Sequence, residues 1–124
     1  IRLKVSYLND FVLEKDTIRY LPAKLISWGC VGSEEECNKI YSKTIEDLGS
    51  ELKIKVENKF SIKLDYNDTT NSITLLAWGD FNHDGIEDIL LNVTHHYISG
   101  TGRSYESVVL TRLARKGKLI ELPL

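Results

Sequence analysis

Two periods organise the hydrophobic and polar positions of this chain, and they change over at Gly49. Before it, Cys37, Ile40, Tyr41, Thr44, Ile45 and Leu48 follow one another at steps of three and four, the spacing of a single helix face. Ser33 with Glu36 three residues on is a capping-box pattern, Glu34, Glu35 and Glu36 lie at the positive end of the helix dipole, and Gly49 is placed to end the helix. After Gly49 the period becomes twofold. Leu52, Ile54 and Val56 alternate with polar residues, as do Phe60, Ile62, Leu64 and Tyr66, and the intervening Asn58-Lys59 turn predicts a β-hairpin.

Asn67 to Asn71 reads as a polar turn and Ile73 to Trp78 as a more fully apolar, central strand. A strand over Ile89 to Tyr97 follows an acidic loop, the turn Ser99-Gly100-Thr101-Gly102 leads to a strand over Tyr105 to Leu113, and Arg115-Lys116-Gly117 leads to a last one over Lys118 to Leu122. Upstream, alternation at Ile1, Leu3, Val5 and Tyr7 predicts a strand, in competition with a helix entering at Asn9 or Asp10. Pro22 interrupts the irregular stretch from Phe11 to Trp28, which predicts one short helix or two turns and then a loop around Trp28-Gly29-Cys30. Short connections favour antiparallel neighbours. The expected architecture is α+β: an antiparallel meander of five or six strands with one main helix packed on one face, residues 1–124 forming a single domain.

Composition narrows the function classes. The 124 residues are 42% apolar and 27% charged, ordinary globular proportions that exclude a disordered tail and a coiled coil. Net charge is -2, and Lys and Arg are scattered among acids, so the counterion-releasing stripe of a nucleic-acid binder is missing. No apolar run approaches the roughly 20 residues of a membrane helix. The chain starts at Ile1 without any methionine, which suggests a processed product whose signal peptide, if it had one, is already gone.

Cys30 and Cys37 are separated by six residues in no zinc pattern. They read either as two buried thiols or as a disulfide that pins the loop to the start of the helix. A disulfide closing so short a loop contributes roughly 2 to 3 kcal/mol on the chain-entropy model, and it would point to a periplasmic or extracellular protein.

The stretch Gly79-Asp80-Phe81-Asn82-His83-Asp84-Gly85-Ile86-Glu87-Asp88 concentrates the candidate chemistry. With Asp80 at position 1, oxygen donors fall at 1, 3, 5, 7 and 9: Asp80, Asn82, Asp84, the Ile86 carbonyl and Asp88, with Gly85 at position 6. Alternate donors can all turn inward around a hard cation, and calcium takes six to eight oxygens where magnesium demands a tight octahedron. A decorated turn is the competing reading, because Asp, Asn and Gly favour turns for backbone reasons of their own. His83 and Glu87, on even positions, are expected to face solvent.

Through Asp-x-Asn-x-Asp-Gly-x-x-Asp this stretch resembles the calcium loops of EF-hand and dockerin proteins and the FG-GAP repeats of extracellular β-propellers. It departs from the EF-hand at position 12, which is Leu91 rather than a bidentate glutamate, and its flanks read as strands. Asp88 followed directly by Ile89-Leu90-Leu91 is closer to FG-GAP, although a single copy excludes a propeller. The resemblance implies a strand-loop-strand calcium site on a different fold.

Little else has a catalytic pattern. Adjacent residues of a strand face opposite sides, so His95 and His96 cannot clamp one metal together. Gly100-Thr101-Gly102-Arg103-Ser104 lacks the lysine and the strand-to-helix setting of a phosphate loop. The expected function is therefore a non-catalytic, calcium-binding protein-interaction module of the periplasm or cell exterior, of the size and setting of a bacterial inhibitor or immunity protein against a secreted hydrolase. His96, Tyr97, Arg103 and Tyr105 are its candidate partner contacts. Two alternatives stand beside it: a metal-assisted hydrolase combining the acidic loop with His95 or His96, and a sensor or adhesion domain whose partner affinity follows calcium.

Overall fold

In a computed structural model, residues 8, 11–26, 33–66, 68–112 and 117–122 are described. Six strands form one antiparallel sheet in sequential order: β1 Lys53–Asn58, β2 Ser61–Tyr66, β3 Thr69–Gly79, β4 Asp88–Tyr97, β5 Arg103–Thr111 and β6 Ile120–Leu122. Every neighbouring pair is antiparallel, as the short connections require. The two long strands, β3 and β4, sit in the middle.

The strand boundaries differ from the sequence pattern where polar residues take strand positions. The predicted turn from Asn67 to Asn71 is shorter, because β3 already begins at Thr69 and Asn71 pairs with Leu64 and His95. Asp68 makes the tight corner with a left-handed φ of 62°, a conformation that Asp tolerates. Further along, the register slips by one residue between Leu75 and Ala77: Leu75 pairs with Leu91, but Ala77 pairs with Leu90. This bulge leaves Leu76 exposed.

One face of the sheet is apolar and covered. Ile62, Leu64, Ile73, Leu75, Ile89, Leu91, Val93, Val108 and Leu110 pack with Leu8, Phe11, Leu13, Ile18, Leu21, Leu25, Ile26 and Ile45 from the preceding segment. The other face carries Ser72, Thr74, Asn92, Thr94 and Ser107, none of them buried.

The covering segment is built from short pieces: α1 Lys15–Ile18, a 3-10 helix Ala23–Ile26, α2 Glu34–Tyr41 and a second 3-10 helix Ile45–Glu51. The irregular stretch before Trp28 thus resolves into two helical turns. Ser33 caps α2 as expected, its hydroxyl accepting from the Glu36 amide at 3.1 Å. The helix is shorter than the spacing from Cys37 to Leu48 predicts. It stops at Tyr41, Thr44 forms a bridge with Pro22, and Asp47 Oδ2 accepts from the Thr44 amide at 3.1 Å, capping a new 3-10 start. Cys37 is the only residue α2 buries, and the helix packs against the 3-10 helix Ala23–Ile26. The predicted strand at Ile1 to Tyr7, the loop at Trp28-Gly29-Cys30 and the Arg115-Lys116 turn lie outside the described residues, as does Cys30 of the proposed disulfide. Among the described residues no helix is long and apolar enough to cross a membrane.

Candidate metal centre

The acidic stretch joins the two central strands. β3 ends at Gly79 and β4 begins at Asp88, and these two residues are paired, so the intervening loop starts and finishes on one rung of the sheet. Its path is set by carboxylates that accept local amides. Asp80 Oδ1 accepts from the Asp84 amide at 3.1 Å and Oδ2 from the Gly85 amide at 2.8 Å. Asp84 Oδ1 accepts from the Ile86 amide at 2.9 Å, and Asp88 Oδ2 reaches back to the Phe81 amide at 3.0 Å. Gly85 has φ 84°, the left-handed turn expected at position 6, and His83 also sits in that region at φ 61°.

These bonds gather the acids. Carboxylate oxygens of Asp80, Asp84 and Asp88 lie within 4.8 Å of one another. Three close carboxylates are a group that can hold a metal ion. Asn82 joins them. In one orientation of its amide, Nδ2 donates to Asp84 Oδ2 at 3.3 Å; in the other, which satisfies both ends, the NH2 donates to Asp84 Oδ1 at 3.0 Å and Asp80 Oδ1 at 3.2 Å. A half-turn of that amide exchanges the donor for a carbonyl oxygen, the atom a cation takes. Ile86 enters the loop through its amide bond to Asp84. His83 is exposed as expected, whereas Glu87 is half-buried.

The three acids occupy different environments. Asp84 is exposed, Asp80 is half-buried and Asp88 is completely buried. Desolvation pushes the Asp80 carboxyl upward, but the amides of Gly85 and Asp84 outweigh it, so its pKa lies below the ordinary value. Asp88 has one oxygen on the Phe81 amide, while the other, Oδ1, is buried with no hydrogen-bond partner. Phe81 helps to enclose this end of the sheet: its ring lies over Gly79, 3.4 Å from where a Cβ would stand.

Neither strand histidine approaches the acids. His95 and His96 are seven and eight positions along β4 from Asp88, about 23 to 27 Å at the rise of an antiparallel strand. They do face opposite sides. His95 is buried on the core face beside Asn71, whereas His96 shares the polar face with Arg103, its partner in β5. Tyr105 projects from that same polar face and is 77% exposed. Tyr97, two positions after His95, lies on the other side, so three of the four predicted contacts share a face and one does not.

Two groups escaped sequence reasoning. Asn71 falls in the polar stretch that predicts a turn, yet it is fully buried: its Nδ2 donates to the Leu64 carbonyl at 3.0 Å, and its Oδ1 meets His95 Nδ1 at 2.7 Å. Thr111, within the predicted strand Tyr105 to Leu113, pairs with Asp88, a placement no local pattern signals. No protein-family model, curated protein or solved structure matches this chain.

Proposed function

We propose that the Asp80–Asp88 loop binds calcium as a structural ion, through Asp80, Asn82, Asp84, the Ile86 carbonyl and Asp88. The observation that carries this reading is the clustering of three carboxylates within 4.8 Å, one of which, Asp88, is buried with an oxygen that has no partner. Oxygens on opposite sides of a calcium ion are about 4.6 to 5.2 Å apart, which the cluster accommodates, and the preference for calcium over magnesium rests on the number of oxygens the loop offers at alternate positions. The strand-loop-strand setting, with Asp88 starting β4, agrees with the FG-GAP-like departure from the EF-hand pattern.

Around this site the chain works as a non-catalytic protein-interaction module in an extracytoplasmic setting, with an inhibitor or immunity protein against a secreted hydrolase as its nearest functional type. The polar sheet face offers His96, Arg103 and Tyr105 to a partner. A Cys30–Cys37 disulfide would fasten the segment before α2 and belongs to the same setting.

Thermal melting of the metal-stripped protein tests the calcium reading. At a free calcium concentration of a hundredfold over Kd the midpoint should rise by about 10 °C, from a linkage of about 2.7 kcal/mol. Magnesium should raise it less, and Asp84→Ala should abolish the response. An unchanged midpoint at millimolar calcium reduces the loop to a turn.

A further inference from the structure

Asp88 has a polar neighbour that its own loop does not supply. Thr111 on β5 stands directly opposite Asp88 on β4, so the two side chains project from the same face of the sheet. Both are buried, Thr111 at 3% exposure and Asp88 at 0%. Each also holds a polar atom without a hydrogen-bond partner, the Thr111 hydroxyl oxygen and Asp88 Oδ1. A buried polar atom left unsatisfied is costly, and two on one rung of a sheet call for a shared partner. On the far side of Asp88, the same rung carries Gly79, which contributes no side chain.

We infer that Thr111 is a positioning residue of the proposed calcium site: its hydroxyl holds, through one ordered water, the Asp88 carboxylate that faces the cation. The inference rests on the calcium reading of the Asp80–Asp88 loop. Cβ atoms directly opposite on paired strands are about 4.5 to 5.5 Å apart, a span that one water bridges between a hydroxyl and a carboxylate. The hydroxyl can donate to that water or accept from it, whichever the carboxylate leaves open. Groups that orient a metal ligand in this way tune affinity without touching the ion. The cation is thereby tied to β5 as well as to its own loop, and a change in its occupancy reaches Thr111 at the far end of the next strand.

Calcium titration calorimetry on the metal-stripped full chain tests this, with wild type, Thr111→Val, Thr111→Ser and Asp84→Ala compared. Valine keeps the shape of threonine and removes only the oxygen. Thr111→Val should weaken calcium binding about ten- to a hundredfold, and Thr111→Ser should restore it to near wild type. If Thr111→Val binds calcium as wild type does while Asp84→Ala does not, the role of Thr111 is overturned and the loop site survives. If wild type itself binds no calcium, both readings fall.

Discussion

The pair His95 and Asn71 shows how a single residue can make the stability of this sheet depend on pH. Because Asn71 gives its NH2 to the Leu64 carbonyl, its oxygen must accept, and His95 Nδ1 is the donor at 2.7 Å. The neutral ring then turns an unprotonated Nε2 toward Glu106 at 3.6 Å. Burial pushes the imidazole below its ordinary value of 6.5, against the opposing pull of the Glu106 charge. Between the folded value and 6.5 the unfolded chain therefore binds more protons than the folded one. The contribution of His95 is complete above pH 6.5 and is lost as pH falls through the folded value. Urea midpoints measured from pH 8 to pH 5 should accordingly decline below about 6.5, and His95→Gln should flatten that decline. A wild-type midpoint that stays level across this range contradicts the assignment. The loss expected from Asp80 lies lower, since its carboxyl is held below the ordinary 3.8. None of this was visible in the sequence, where Asn71 carries a turn residue's signature and a strand histidine looks alike whether buried or exposed.

At the scale of elements, the strands were legible because one covered face imposes a twofold period. Ile62 and Leu64 in β2, Ile73 and Leu75 in β3, and Ile89, Leu91 and Val93 in β4 all obey it. The helical half was less legible. A face spaced at three and four from Cys37 to Leu48 reads as one helix, but a local contest decides otherwise: the Asp47 carboxylate takes the Thr44 amide, and the helix has already ended at Tyr41. What remains, α2, is eight residues long and buries only Cys37, so its own terminus matters to it more than the core does. Ser33→Ala removes the acceptor of the Glu36 amide and should destabilise the protein by about 1 kcal/mol, measured by urea unfolding. Ser33→Asp, which keeps a side-chain acceptor at the cap, should lose much less. Equal losses from both variants would mean that the cap bond contributes nothing.

Over the whole molecule, the order of the strands ranks their stability. β4 is paired on both sides along almost its whole length and β3 on both sides from Thr69 to Thr74, whereas β1 ends the sheet and is exposed along almost all of it. Amide hydrogen exchange should be slowest in β3 and β4 and fastest in β1; protection of β1 equal to that of β4 would show that something further covers the edge. The acidic loop joins the two central strands, and its spacing alone picks out Asp80, Asp84 and Asp88 as neighbours because they are local in sequence and the strand pair holds both ends. Thr111 could not be found that way, because only strand pairing brings it to Asp88. The slip at Leu75 and Ala77 bears on the same rung. Counted without it, β3 would set Trp78 opposite Asp88 and crowd an indole against the acid; with it, Gly79 takes that place and Trp78 turns to the other face, where its Nε1 donates to the Leu8 carbonyl at 3.0 Å. Leu76 therefore acts as a spacer in a reading frame. Its side chain is exposed and open to exchange, but its presence in the count keeps the last rung of the strand in phase with the loop.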